Sequence, residues 1–451
     1  MRVFMLGWEF PPHISGGLGT ACYGMTRGLD EIGVEVCFVL PTAVPTGPPS
    51  HVQLRSPADL TAARPAEQIE MGEFEHVRLH RVDAILQAYA DPITYERAIR
   101  ELIRQQQIRH GLAPAPIGEL AELGLSEALT PGRSFGAGAG AHYDGDLMGQ
   151  VHRYARLAVE LARREPFDVI HAHDWMTYPA GLAVAAATHR PLLVHVHSTE
   201  FDRAGENVNQ HVYDIERTGM HGADCVVAVS YLTKNIVTTR YGVPEKKVEV
   251  VYNAVDLPGG EKWQMEPIRH TEKIVLFLGR LTMQKGPEYF LRAAKKVTEK
   301  FTDVRFVVAG SGDMITQCVK EVADLKLGRY VTFTGFLRGD DVARVFGMAD
   351  LYVMPSVSEP FGIAPLEALS HNVPVIISKQ SGVSEVLTHV LKVDFWDIDE
   401  MANKILAVLR HPPLQRTLRQ HGHIELRKLS WRDSAIQLRK LYTELADAAA
   451  N

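Results

Sequence analysis

Residues 273–286 read KIVLFLGRLTMQKG, and this stretch combines the features that decide the fold. Its first part is a short apolar run typical of a buried parallel strand, and Gly279 ends that run. A loop with two cations follows, and helical periodicity resumes after Gly286. A strand, a loop and a helix in this order form part of a β-α-β unit, which predicts a parallel sheet with helices on both faces.

The same alternation extends along most of the chain and predicts strands in two groups. The first group is Val3 to Leu6, Val34 to Leu40, Val77 to Val82, Asp168 to His173, Leu192 to His197, Asp224 to Val229 and Val248 to Tyr252. The second group is Lys273 to Leu278, Val304 to Ala309, Tyr330 to Phe333, Leu351 to Met354 and Val373 to Ile377. Between them, residues 256–264 (DLPGGEKWQ) are typical of a linker. We therefore predict two doubly wound α/β domains, at residues 1–257 and 258–430.

Two further segments depart from the alternation. Residues 91–150 contain a polar helix at Glu96 to His110 and a stretch rich in glycine and alanine, so we expect an insertion there. The last segment, residues 431–451, begins with a helix whose apolar stripe must be buried on one of the two domains. That stripe consists of Ala435, Ile436, Leu438, Leu441 and Leu445.

The composition excludes several classes of protein. The 451 residues carry 48 Lys and Arg against 54 Asp and Glu, and 46% are apolar, which argues against a disordered chain and against nucleic-acid binding. The four cysteines form no Cys-x-x-Cys pair and are expected to be reduced. No apolar run is long enough to cross a membrane, and Met1 to Phe10 does not resemble a signal peptide. We expect a cytoplasmic protein without a transmembrane segment.

Ligands of open α/β sheets bind at the carboxyl ends of the strands, and three of these ends are informative. The first strand leads to Gly16 and Gly17, which would let a ligand approach the backbone closely, although a structural turn would also use them. Arg280 and Lys285, five residues apart on one loop, can reach the same diphosphate; the alternative is two solvated charges.

The third informative end is residues 358–369, SEPFGIAPLEAL. Pro365 is tolerated only in the first turn of a helix, so a helix begins close to it. The free amides near Gly362 and Ile363 are expected to point toward the cleft. Two carboxylates, Glu359 and Glu367, flank this helix start and are eight residues apart.

Two pairs of histidines also lie at strand ends. His171 and His173 share one face of their strand, as do His195 and His197. They could bind zinc, but no third ligand at helical spacing is evident, and neutral imidazoles also form hydrogen bonds with sugars. The pair Asp144 and Asp146 resembles a metal-binding Asp-x-Asp, but it lies in the insertion, so we predict no metal there.

Together these motifs resemble those of retaining nucleotide-sugar glycosyltransferases with two Rossmann-like domains, the GT-B type. Residues 359–367 match the Glu-x7-Glu element of that group. Residues 6–18, the stretch HAHDW at 171–175 and NAVD at 253–256 resemble the corresponding parts of short single-chain glycogen synthases. The resemblance covers the chain except residues 91–150. It implies two domains that face each other across a cleft, with a C-terminal helix that crosses back to the N-terminal domain.

The resemblance also implies roles for the matched residues. The expected catalytic residues are His197, Glu359, Arg280 and Lys285. The expected donor-binding residues are Gly16, Gly17, Arg280, Lys285, Phe361, Gly362, Ile363 and Glu367, with the last on the ribose. The candidates on the acceptor side are Glu9, His173 and Asp174. The partners are a nucleotide-sugar donor and a carbohydrate acceptor, and neither a metal nor a cofactor is implied.

Two departures from the family pattern bear on the donor. ADP-glucose-dependent synthases have a lysine just before the paired glycines, where this chain has His13-Ile14-Ser15. They also lack the second glutamate, which is Glu367 here. We therefore predict a retaining transfer of glucose from a UDP-type donor to a glucan. The alternatives are a family 4 enzyme with a lipid, small-sugar or sugar-phosphate acceptor, a nucleotide-sugar 2-epimerase, and a non-catalytic sugar-binding protein.

Overall fold

The computed structural model describes residues 1–10, 17–41, 67–69, 76–82, 147–255 and 272–450. The strands of the first sheet are β1 Arg2–Leu6, β2 Glu35–Pro41, β3 Glu67–Ile69, β4 Val77–Val82, β5 Val169–His173, β6 Leu192–Val196, β7 Cys225–Ala228 and β8 Val248–Val250. The strands of the second sheet are β9 Lys273–Leu278, β10 Val304–Ala309, β11 Val331–Gly335, β12 Leu351–Met354, β13 Val375–Ser378 and β14 Leu391–Val393.

The strand order confirms doubly wound α/β architecture in both halves. It is β3-β4-β2-β1-β5-β6-β7-β8 in the first sheet and β11-β10-β9-β12-β13-β14 in the second. Every described pair is parallel except β3 with β4, which closes one edge in antiparallel fashion. In both sheets the order reverses beside the first strand, and such a reversal opens a crevice at the carboxyl ends.

Helices cover both faces of each sheet. In chain order they are α1 Gly17–Glu31, α2 Leu147–Ala162, α3 Tyr178–Thr188, α4 Glu200–Ala204, α5 Gln210–Gly222, α6 Tyr231–Arg240, α7 Pro287–Thr298, α8 Ile315–Asp324, α9 Asp340–Met348, α10 Ala364–Ser370, α11 Val383–Val386, α12 Ile398–Arg410, α13 Pro412–Leu426 and α14 Trp431–Ala450. Single 3₁₀ turns occupy Glu245–Lys247 and Met283–Lys285. None of the helices in the described ranges is both long and apolar enough to cross a bilayer.

The last helix, α14, crosses back and packs on α1, as the resemblance implies. The helices approach closely because α1 has glycines at the contact: a Cβ on Gly24 would lie 2.1 Å from the Trp431 indole. Ala435, Leu438 and Tyr442 are fully buried in the same core. The prediction that Ile436 belongs to the buried stripe is wrong, since its side chain is 38% exposed.

The strand predictions fail only at the sheet edges. β4, β9, β10 and β12 have the predicted bounds, but β3 and β14 were not predicted. Each of these edge strands has only three residues, which is too short for a recognisable alternation. The predicted helix at Glu96 to His110, the linker at 256–264, and Asp144 with Asp146 lie outside the described residues.

Candidate active site

The carboxyl ends of the two sheets face each other across a cleft of about 620 Å³. Gly17, Asp174 and His197 line it from the first half of the chain. The lining residues from the second half that sequence motifs predicted are Arg280, Lys285, Glu359, Phe361, Gly362, Ile363 and Glu367. The motifs of both halves thus meet at one site.

The wall formed by the second half is built around an ion pair. Lys285 Nζ lies 2.6 Å from Glu359 Oε2, and Ser356 Oγ donates to the same oxygen at 3.0 Å. The Glu359 side chain is only 8% exposed, so this pair is shielded from water. Arg280 is exposed at the cleft, which leaves its guanidinium accessible to an anion. This part of the cleft wall therefore presents one partly buried cation, Lys285, and one accessible cation, Arg280.

The segment between the two glutamates is shaped by Gly362. Its φ is 99°, a region that favours glycine, and an added Cβ would lie 3.1 Å from Glu359 Cγ. The chain then enters α10 with Pro365 in the first turn, as the sequence predicts. Phe361 is buried in the hydrophobic core of the second half and is also among the residues that line the cleft.

Glu367 lies in the first turn of α10 and lines the cleft. Burial disfavours its charged form and raises the pKa of this carboxyl from 4.5 to about 7. The positive charge of Lys285 is paired with Glu359 and not with Glu367. Glu367 is consequently poised to change charge near neutral pH or when a ligand enters.

On the other wall, the imidazoles of His171, His173, His195 and His197 form a cluster of stacked and tilted rings. His197 Nε2 lies 2.9 Å from His173 Nδ1. Burial lowers the pKa of His197 to about 3 and lowers the pKa values of the other three well below their usual value. All four rings are therefore neutral at physiological pH.

Asp174 fixes the loop that contains His197. Its φ is 58°, in the left-handed region that aspartate tolerates better than most residues. Its Oδ1 accepts hydrogen bonds from the amides of His197 at 2.7 Å and Ser198 at 3.3 Å. Burial raises the pKa of Asp174 to about 7, although the His197 amide opposes that shift. Asp174 thus fixes the backbone of His197 and Ser198, two residues that line the cleft.

The remaining predicted residues divide into three cases. Gly16 lies outside the described residues, whereas Gly17 begins α1 and is open to the cleft. Glu9 Oε2 accepts from the Gly19 amide at 3.3 Å and is not among the residues that line the cleft. His173, the other candidate on the acceptor side, is fully buried behind His197. Its ring orients His197.

Several residues at this site were not assigned from the sequence. Ser198 Oγ and Asn253 Oδ1 are buried at the cleft with no hydrogen-bond partner among the described residues. Arg338 adds a third cation to the cleft wall. Asn253 belongs to a recognised motif, but isolated serines and arginines have no spacing signal, and only the fold brings them to the site.

The two halves are joined beside the cleft by hydrogen bonds. Glu385 accepts from the amides of Tyr231 and Leu232 at 2.9 and 2.7 Å, which satisfies the start of α6. Ser230 Oγ donates to the carbonyl of Pro360 at 2.6 Å. The loop around Glu359 is therefore anchored to the first half of the chain.

Models of three glycosyltransferase families match successive parts of the chain. The model "Glycosyl transferases group 1" matches residues 261–424, "Glycosyltransferase Family 4" matches 139–258, and "Starch synthase catalytic domain" matches 2–100. An uncharacterized glycosyltransferase of Methanocaldococcus jannaschii is 28% identical over 405 residues, which span 86% of this chain and 83% of the relative. The glycogen synthase of Mycobacterium tuberculosis is 22% identical over 86% of this chain and 80% of its own length.

Among solved structures, sucrose-phosphate synthase from Thermosynechococcus elongatus has the same fold. The TM-score is 0.70 at 19% sequence identity, with 99% of each chain covered. Fold, site and family models together define a class: the chain is a nucleotide-sugar glycosyltransferase of the GT-B type. Within this class, the matches are to the group 1 model over residues 261–424 and to the family 4 model over residues 139–258.

Proposed function

We propose that the chain transfers glucose from UDP-glucose to the end of a glucan, with retention of the anomeric configuration. One observation carries this proposal: a single cleft places Arg280 and Lys285 opposite Gly17 and His197. The cations would hold the donor diphosphate, and the opposite wall would present neutral hydrogen-bonding groups to the sugars. We assign Glu367 to the ribose and the backbone after Phe361 to the transferred glucose.

In the proposed reaction, the bond between the anomeric carbon and the diphosphate oxygen breaks while the acceptor oxygen bonds to that carbon on the same face. The acceptor proton passes to the departing phosphate. In this proposal Arg280 and Lys285, which line the cleft, lie beside the departing diphosphate and would stabilise its developing negative charge without a metal ion. The neutral His197 would position the sugar by hydrogen bonding, because burial keeps its imidazole unprotonated.

Glu359 is assigned an orienting role and not that of a covalent nucleophile. Its Oε2 already accepts from Lys285 and Ser356, which fixes the carboxylate and reduces its availability for attack. A trapped covalent sugar on the wild-type enzyme would overturn this assignment. Mass spectrometry after rapid quenching, with Glu359→Gln as the matched control, makes the comparison.

Two findings support a glucan acceptor, and two others support a UDP-type donor. A starch synthase model matches residues 2–100, and a relative that matches most of this chain is a glycogen synthase. The donor assignment rests on Glu367 in the cleft and on the absence of a lysine among residues 13–15.

The test measures release of nucleotide diphosphate from UDP-glucose, ADP-glucose and GDP-mannose, each with and without glycogen. We expect release from UDP-glucose that depends on glycogen and is lost in Arg280→Ala. Release from GDP-mannose alone would refute the transfer of glucose. Release from UDP-glucose that glycogen does not stimulate would refute the glucan acceptor, and the same assay with small sugars would then identify another acceptor class.

A further inference from the structure

Three buried imidazoles of the first sheet converge on one point. His171 and His173 lie on β5, and the register places His173 opposite His195 of β6. All three side chains are fully buried on the sheet face that α1 and α14 cover. One potential ligand atom from each residue lies within 4.8 Å of the other two, and His171 Nε2 is 3.2 Å from His195 Nδ1.

Hydrogen bonds to other residues fix two of these rings. His171 Nδ1 lies 2.7 Å from the Tyr442 hydroxyl of α14, and His173 Nδ1 lies 2.9 Å from His197 Nε2. Histidines that bind metals usually use their second nitrogen in this way, which sets the tautomer and the ring orientation. His173 Nε2 is therefore available for another partner, whereas His171 Nε2 already shares a hydrogen bond with His195 Nδ1, which an ion between these two nitrogens would replace.

Two of the nitrogens in this cluster are unsatisfied. His173 Nε2 and His195 Nε2 are buried and have no hydrogen-bond partner among the described residues. A buried polar atom without a partner is unusual and indicates a bound ion or water, since leaving it unpaired costs about 1–3 kcal/mol. An ion bound by His173 Nε2, with His195 bound through the Nδ1 that lies beside His171 Nε2, would satisfy the first of these two atoms.

We propose that His171, His173 and His195 bind a transition-metal ion, zinc above all, in the core beneath the crossover helix. Three imidazoles form a recognised zinc ligand set, and imidazole favours zinc, copper, iron and nickel over magnesium and calcium. Tetrahedral ligation with Zn–N distances of about 2.0–2.1 Å separates ligand nitrogens by about 3.3 Å. The pair at 3.2 Å already has that spacing, and His173 must move closer. Water or hydroxide completes the coordination.

The ion would have a structural role. It would join β5 to β6 and, through the hydrogen bond of His171 to Tyr442, tie α14 to the first sheet. His171, His173 and His195 are not among the residues that line the cleft, so the ion would not contact the donor diphosphate. The site would touch the cleft only indirectly, through the hydrogen bond between His173 and His197.

The first test uses the full chain without an affinity tag. The protein is stripped with a chelator, dialysed against excess Zn²⁺ or Co²⁺, freed of loose metal and analysed by plasma mass spectrometry and visible spectroscopy. We expect one zinc per chain, a higher Tm with zinc, and the intense visible bands of tetrahedral cobalt. Substoichiometric zinc without cobalt bands would overturn the proposal, as would a high-resolution structure of the zinc-treated protein with water at this point.

Variants then locate the metal. His195→Gln should lose the bound zinc, whereas His423→Gln, which changes an exposed histidine of α13, should retain it. Tyr442→Phe should keep the site but weaken zinc affinity by about 10–100-fold, as expected for loss of an outer hydrogen bond. Full zinc content in His195→Gln would overturn the assignment. If that variant does not fold, the cobalt spectrum of the wild type and the affinity of Tyr442→Phe still decide it.

Discussion

Replacing Glu367 with glutamine should stabilise the free protein at alkaline pH while weakening donor binding. Burial raises the pKa of this carboxyl to about 7, against an ordinary value of 4.5. Folding therefore favours the protonated form, and the associated stability is lost as the pH rises toward 7. Above pH 7 the wild type must hold a charge at this site that its surroundings disfavour. Glutamine keeps the shape of the side chain and never ionises.

The size of the effect follows from the two pKa values. The difference between 4.5 and about 7 corresponds to about 3 kcal/mol, at about 1.4 kcal/mol for each pH unit. Most of this cost is present at pH 8.5, and less than about 1 kcal/mol remains at pH 5, where the carboxyl of the folded protein is still protonated. At about 2–4 °C for each kcal/mol, Glu367→Gln should raise Tm by about 5–10 °C at pH 8.5 and by much less at pH 5.

Differential scanning fluorimetry of both proteins at several pH values measures this difference directly, because other titrating groups contribute equally to the two chains. The donor affinity should change in the opposite direction. Ionised Glu367 accepts strong hydrogen bonds from ribose hydroxyls, so the wild type should bind UDP more tightly as the pH rises through 7. The variant should bind about 10–100-fold more weakly at pH 8.5, without that pH dependence.

An equal change of Tm at pH 5 and pH 8.5 in Glu367→Gln, or a lower Tm at pH 8.5, would refute this prediction. Either result would mean that the carboxylate is well solvated or paired in the free protein. Unchanged UDP affinity with the expected stability gain would instead refute only the assignment of this residue to the ribose.

Three further predictions concern the cleft and the crossover helix. Gly17→Ala should leave Tm unchanged, since no atom lies within 4 Å of the added Cβ. It should raise the KM for the donor about tenfold or more if a diphosphate approaches this backbone, and an unchanged KM would refute that approach. Lys285→Met should abolish transfer and lower the free energy of unfolding by about 3–5 kcal/mol, because Glu359 loses its cation. Adding Glu359→Gln should restore Tm but not kcat. An equally low Tm in the double variant would contradict this account. Gly24→Ala should destabilise the protein by about 1–3 kcal/mol, because the new methyl group would overlap Trp431. The matched variant Gly17→Ala adds a methyl group that meets no atom and should not destabilise the protein. Equal Tm values for the two variants would refute the close packing of α14 on α1.

Most of the fold could be predicted because buried parallel strands have a strong local signal. β9 and β10 are apolar runs followed by loops, and their bounds were predicted exactly as they occur. The edge strands β3 and β14 could not be predicted, because they are held by pairing with a neighbour and not by their own pattern. Likewise, the sequence showed that the last helix needs a partner, but only Gly24 and Gly28 on α1 explain where it packs.

The candidate site was predictable where chemistry and sequence spacing coincide. Glu359, Lys285 and Arg280 were found because they follow strand ends, and the structure brings all three to one cleft. The pairing of Lys285 with Glu359 joins residues 74 positions apart in the chain and has no local signal. The burial of His173 was missed for a related reason: α14, which covers its side of the sheet, is distant in the sequence.

The central claim is tested most directly by the anomeric configuration of the first product. The full chain is incubated with UDP-glucose and a short α-glucan, and proton NMR follows the new glycosidic bond from the earliest times. The account predicts release of UDP together with an α-linked glucose at the end of the glucan. A β-linked product, or no transfer from UDP-glucose to the glucan, would contradict it.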